Sequence, residues 1–344
     1  MTTSIFVTRE IPDEGLKMLR RNKRLKVEVY EKDRIISHAE LLRRVKGANV
    51  LLTMLTERID KQLMDAAGPS LKMIANYAVG FDNIDLKEAA KRNLVVTNAA
   101  HPNVSETVAE HTIALIFALA HRIVESDHFT RQGKYKGWEP QLLLGTDVMG
   151  KTLGLVGGGA IGGMVARRMH EGFGVKIIYT DVKRNPPFEK MSGAKLRTKE
   201  QLLRESDFVS LHVPLLPSTK HLMDDKAFGL MKKTAFLINT ARGPVVDSAA
   251  LVRALKKGKI AGAGIDVFEG EPQFARRKTD ADYLQRAWNV ILTPHTASAT
   301  IETRQAMGRT AAENILAFVK GETPPNAVTT GLPPSLKLWR AGKP

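Results

Sequence analysis

Cysteine is absent from the 344-residue chain, which excludes a disulfide framework, a thiolate metal site and a cysteine nucleophile. The absence fits a reducing compartment, and the expected location is cytoplasmic. Long hydrophobic runs are missing too: the longest apolar stretch, Ile113 to Ala120, is far short of the ~20 residues a membrane span requires. The start, Met1-Thr2-Thr3-Ser4, passes straight into the strand pattern Ile5-Phe6-Val7, without the basic leader of a targeting signal. No internal repeat, low-complexity segment or metal-ligand cluster stands out, so neither a membrane partner nor a metal is expected. Acidic residues are in deficit, 36 against 52 basic, for a net charge of +16. Such a field attracts anions. The basic residues are scattered, and short clusters such as Arg20–Arg24 and Arg276-Arg277-Lys278 read as solvated faces. The expected partner is therefore a small anion and not a nucleic acid.

What is present is ordinary globular material, 43% hydrophobic and 26% charged, and the length predicts two domains. Short apolar runs alternate with helical patterns, the signature of α/β folds with parallel sheets. The first series has strands at Ile5–Val7, Val27–Val29, Val50–Leu52, Met73–Ala75 and Leu94–Thr97, and reads as one βα domain over about 1–100. One long helical pattern runs from Ser105, a cap, to Gln132, ended by Gly133. A second series follows at Thr152–Val156, Lys176–Tyr179, Phe208–His212, Ala235–Asn239, Ala263–Val267 and Val290–Leu292. A last helix spans about Ile301 to Lys320, and the Pro- and Gly-rich chain beyond Gly321 is expected to be extended.

The segment Gly157-Gly158-Gly159-Ala160-Ile161-Gly162 fits G-x-G-x-x-G. It follows an apolar strand and opens a helical pattern, and a second strand ends at Asp181, 19 residues after Gly162. That is the dinucleotide-binding pattern in its proper context. The glycines permit a tight turn, and the helix N-terminus offers unpaired N–H groups to a pyrophosphate. Asp181 would accept from the adenosine ribose hydroxyls and repel a 2′-phosphate, which favours NAD. Lys183 and Arg184 keep NADP open.

Ligands of doubly wound folds lie at the carboxyl ends of the strands. Three such places carry chemistry: Arg242 in Asn239-Thr240-Ala241-Arg242-Gly243, Glu269 and Glu271 in Asp266-Val267-Phe268-Glu269-Gly270-Glu271-Pro272, and His295 in Thr293-Pro294-His295. Taken singly, these residues read equally well as a surface ion pair, a turn residue and a non-catalytic histidine. Together they suit reduction of a 2-oxo acid. Arg binds a carboxylate bidentately, a protonated His donates to the carbonyl oxygen, and a neighbouring Glu keeps that His charged and oriented.

With Val79-Gly80-Phe81-Asp82-Asn83-Ile84-Asp85 and His212-Val213-Pro214-Leu215 added in order, the chain resembles the D-isomer-specific 2-hydroxyacid dehydrogenases over roughly residues 5–330. The resemblance implies an α/β architecture of two doubly wound βα domains, a Rossmann NAD-binding domain inserted into a flavodoxin-like substrate domain. The substrate domain would be 1–100 and 299–330, the Rossmann domain 101–298, and 331–344 an extended tail. It also implies Arg242, Glu271 and His295 as the catalytic set. The cofactor would lie on Gly157, Gly159, Ala160, Ile161, Gly162, Asp181, Val213, Pro214, Thr240, Ala241 and Asp266, with Asp266 at the nicotinamide carboxamide. The substrate would meet Val79, Gly80, Arg242 and His295. Homodimers are the implied assembly.

Within the family the likeness is to glyoxylate and hydroxypyruvate reductases. It rests on Arg131–Trp138, which implies Trp138 as a lid over a partner's pocket, and on Ser298 as a polar pocket position. Asn76 stands where phosphoglycerate-using relatives carry Arg. D-lactate-type and 3-phosphoglycerate dehydrogenases remain alternatives, as does an NAD(H)-sensing corepressor-like binding protein. Departures are Ala160, Leu216 and Ala297 in place of the usual residues, a longer loop over Asn98–Thr107, and an unexplained basic stretch over Gln273–Trp288.

Overall fold

The computed structural model describes residues 2–271 and 278–328. The chain divides into two compact units: Ser105–Ser298 forms one, and the chain up to Val104 with the chain from Ala299 forms the other. In the latter, strands β1 (Thr3–Val7), β2 (Leu25–Val29), β3 (Val50–Thr53), β4 (Met73–Asn76) and β5 (Val95–Thr97) build one sheet in the order β2-β1-β3-β4-β5. Every pairing is parallel. β3, β4 and β5 are buried at every residue, as parallel strands covered on both faces must be. The returning helix Ile301–Val319 packs on the helix Asp13–Arg21, and Val328 then donates to Val96 O at 2.9 Å.

The other unit holds β6 (Thr152–Val156), β7 (Lys176–Thr180), β8 (Lys195–Leu196), β9 (Phe208–Leu211), β10 (Phe236–Asn239), β11 (Gly262–Ile265) and β12 (Val290–Leu292). They form a parallel sheet in the order β12-β11-β10-β9-β6-β7-β8. The chain reverses its direction of travel beside β6, between β7 and β9. That is the switch point where a doubly wound sheet leaves its ligand crevice.

Two expectations change. The long helix is two, Pro102–Ala120 and Ile123–Arg131, bent by 61°. The break is at Arg122, whose φ of +54° no helix tolerates; its guanidinium holds Glu125 and Leu144 O. The first of these helices begins at Pro102 and not at Ser105, because proline is pre-set for the first helical position. No single helix among the described residues is long and apolar enough to cross a membrane. In the basic stretch, Lys278–Arg286 is a helix that buries Ala281 and Leu284. Residues 272–277 and the expected tail, 331–344, lie outside the described residues.

Candidate active site

The glycine-rich turn forms because only glycine meets its geometry. Gly157 has φ of +104°, and a Cβ there would sit 2.5 Å from His212 O. A Cβ on Gly162 would meet Gly157 O at 2.3 Å, whereas one on Gly159 would meet nothing within 4 Å. The helix Ala160–Phe173 starts from Gly159 with no side-chain cap and no acidic residue in its first turn. Its first N–H groups thus have no capping side chain, which fits an anion. At the end of β7, Asp181 Oδ2 accepts from Gly158 N at 2.8 Å and Oδ1 from Val182 N at 2.7 Å. The carboxylate is fixed beside the turn yet exposed, as a ribose-binding acid requires. Arg184 is turned onto Glu189 at 2.8 Å, so its charge is neutralised there. These features fit a dinucleotide, and they fit NAD better than NADP.

Next along the sheet, β9 is followed by His212, Val213 and Pro214. His212 Nε2 lies 2.9 Å from Ser210 Oγ, and burial pushes its pKa down to about 4. After β10, Thr240 Oγ1 sits 2.9 Å from Thr112 Oγ1, whose own proton goes to Val108 O. Thr240 must therefore donate to Thr112. Ala241 is 9% exposed.

Arg242 follows at once, its Nη1 donating to Ala241 O at 2.7 Å. Its loop is pressed against the one after β11: a Cβ on Gly243 would lie 2.0 Å from Phe268 O. That second loop carries the two glutamates, and the structure separates them. Glu269 Oε1 lies 2.9 Å from His221 Nε2. Glu271 Oε2 lies 2.7 Å from His295 Nδ1, and Oε1 accepts from Phe268 N. Both members of the Glu271–His295 pair are under a third exposed.

His295 itself has φ of +57°, a left-handed backbone that costs a non-glycine residue roughly 1–2 kcal/mol. Asp266 holds it there. Asp266 O accepts from His295 N at 2.8 Å, and its fully buried carboxylate accepts from Thr293 Oγ1 (2.6 Å), Thr296 N (2.8 Å) and Ala297 N (3.0 Å). Asp266, assigned by resemblance to the cofactor, thus has a protein-facing task that the sequence did not disclose. Neither His111 nor His221 was singled out from the sequence, because each partner lies far along the chain.

Other candidates fall elsewhere. Ser298 is half-buried at the end of this unit. Trp138 is 82% exposed and contacts none of the histidine–glutamate pairs. In the first unit, the N–H groups of Val79 and Gly80 donate to nothing among the described residues. Their carbonyls are tied back, Val79 O to Asn98 Nδ2 and Gly80 O to Asn76 Nδ2. Asn76 is 1% exposed and also accepts from Thr53, so its amide shapes this turn from inside. Glu57, 4% exposed, lies beneath the same region with Thr8, Met54 N and Thr56 donating to it. Burial raises its pKa. No group of three or more metal-ligating side chains occurs among the described residues.

Comparison with known proteins agrees with this layout. Residues 113–297 match the family model of the D-isomer specific 2-hydroxyacid dehydrogenase NAD binding domain. A glyoxylate reductase of Thermococcus kodakarensis is 47% identical over 333 residues, 95% of this chain and 96% of its own length. A crystal structure of a protein from Thermus thermophilus superposes with a TM-score of 0.87 at 41% identity, covering 95% of this chain and 100% of that one. The D-lactate dehydrogenase of Aquifex aeolicus, complexed with NAD and lactic acid, gives a TM-score of 0.83 at 30% identity, covering 96% and 100%. The chain belongs to the D-isomer specific 2-hydroxyacid dehydrogenase family of oxidoreductases, with an NAD-binding domain over residues 113–297.

Proposed function

We propose that the protein reduces glyoxylate, and hydroxypyruvate with it, to the corresponding 2-hydroxy acid using NADH. The observation that carries this reading is the Glu271–His295 pair, 2.7 Å apart, on the sheet edge that also bears the glycine turn. The 47% likeness to a glyoxylate reductase, against 30% to a D-lactate dehydrogenase, favours glyoxylate over pyruvate.

When bound, NADH would supply the hydride that C2 of the 2-oxo acid accepts. Glu271, an acceptor when ionised, fixes the proton of His295 on Nδ1. Nε2 is then the nitrogen left to hand a proton to the substrate oxygen, and the carboxylate stabilises the imidazolium that does so. Arg242 binds the substrate carboxylate and polarises the 2-oxo group; a charged hydrogen bond of this kind contributes about 1.5–3 kcal/mol. The Val79 and Gly80 amides are substrate-binding donors suited to a carboxylate, and Ser298 is a polar pocket residue. Gly157, Gly159, Ala160, Ile161 and Gly162 would hold the pyrophosphate and Asp181 the ribose, and Val213, Pro214, Thr240, Ala241 and Asp266 would line the rest of the cofactor. The unit of residues 1–104 and 299–328 is the substrate domain.

The assembly is a homodimer through the NAD-binding unit. Its face carries Ile123, Val124, Leu144, Met149 and Trp288, each 52–76% exposed, beside an apolar cavity of about 360 Å³. That cavity sits at the amino ends of the strands, away from the chemistry. Trp138 projects from the same unit.

The test is NADH oxidation, followed by absorbance, on glyoxylate, hydroxypyruvate, pyruvate and 3-phosphohydroxypyruvate, with NADPH run in parallel. Glyoxylate should give the highest kcat/KM. NADH binding without turnover of any acid would instead leave a dinucleotide-sensing protein.

A further inference from the structure

His111 lies within the helix Pro102–Ala120, 182 residues before Thr293, yet its Nε2 is 3.0 Å from Thr293 Oγ1. The same nitrogen lies 3.6 Å from Asp266 Oδ1. Counting protons fixes the direction of these bonds. A threonine hydroxyl has one proton, and that of Thr293 points at Asp266 Oδ1, 2.6 Å away, where only an acceptor stands. Thr293 Oγ1 must therefore accept from His111, so Nε2 of His111 carries a proton.

The chain of donors does not stop at Asp266. Its two carboxylate oxygens also take the N–H groups of Thr296 and Ala297, on the far side of His295. The His295 backbone, at φ +57°, is thereby clamped on both flanks by one carboxylate whose orientation His111 and Thr293 set. Strained backbone of this kind persists only where its surroundings over-determine it. Asp266 is 0% exposed, so a lost donor has no water to replace it. His111 does not reach the Glu271–His295 bond; it acts only through the turn.

We propose that His111 is a positioning residue: by donating through Nε2 to the Thr293–Asp266 pair, it holds the left-handed His295 turn in register with Glu271. The rate consequence rests on the reading of His295 as the acid; the anchoring itself does not.

Two measurements test it on the full-length protein. The first is steady-state NADH oxidation with glyoxylate for His111→Leu, His111→Gln and Thr293→Val. A displacement of about 1 Å at a reacting group costs on the order of a hundredfold, so His111→Leu should lower kcat by roughly ten- to a hundredfold, with the KM for NADH within about twofold of wild type. His111→Gln, whose amide offers a donor near Nε2, should restore most of the rate. His111→Leu and Thr293→Val combined should cost no more than the larger single loss, as members of one chain do.

The second measurement is hydrogen–deuterium exchange of the Thr296 and Ala297 amides, with and without NADH. Exchange should quicken in His111→Leu and return in His111→Gln. Wild-type kcat and exchange in His111→Leu would overturn the proposal, as would a Gln variant no better than Leu. Faster exchange with unchanged kcat would overturn the catalytic consequence. Absence of turnover in the wild type would sink the functional reading alone, because the exchange data stand without it.

Discussion

Glu269 and Glu271 are separated by a single glycine with φ of +89°, and that turn sends them to different histidines. Glu271→Gln should therefore lower kcat by roughly 10²–10⁴-fold, the range of general acid–base assistance, as should His295→Gln. Glu269→Gln, which removes the charge facing His221, should leave kcat within a few-fold. Steady-state kinetics on the three variants checks the assignment, and equal losses for the two glutamates would reverse it. Asp181 gives a second prediction. Its carboxylate is exposed beside the glycine turn, so Asp181→Ser should lower the NADH-over-NADPH ratio of kcat/KM by about 10- to 100-fold, the worth of a charged hydrogen bond. At this scale the sequence showed which residue types stand at the strand ends. Residue types and spacing did not separate Glu271 from Glu269 as the partner of His295, a choice only the resemblance made, since it depends on the turn at Gly270; nor could they show that His111 meets Thr293, since nothing in a helix sequence marks a side chain's distant partner.

His212, just beyond β9, carries the clearest pH signal. A histidine with an unfolded pKa of 6.5 and a folded one of about 4 is neutral in the fold. Between those values the unfolded chain binds more protons, so stability rises with pH there and is lost as pH falls from about 6.5 toward 4. The full shift would correspond to about 3 kcal/mol; because the residue keeps some exposed surface, a loss of about 1–3 kcal/mol is expected. Urea unfolding at pH 7 and pH 4.5 would measure it, and His212→Gln should flatten the difference. Elements rich in signal were legible: β6, β7 and β9 are apolar runs beside glycine or helix-capping residues. β8 was not, because its two residues are both exposed and show no alternation. The bend at Arg122 was hidden by the apolar pattern on either side of it, with neither glycine nor proline to mark the break.

For the molecule as a whole, the apolar surface around Leu144 and Trp288 predicts association. Leu144→Glu should shift a dimer toward monomer in sedimentation velocity, with an affinity loss of about 2 kcal/mol or more if it is an anchor of the contact. A wild-type monomer at micromolar concentration would refute the assembly. Both rims of the seven-stranded sheet are stubs, β8 with two residues and β12 with three. A stray peptide would find few open backbone groups to template on at either margin. Concentrated solutions should accordingly resist cross-β fibril growth seeded from native protein, and any deposits formed on heating would have to begin from opened chains.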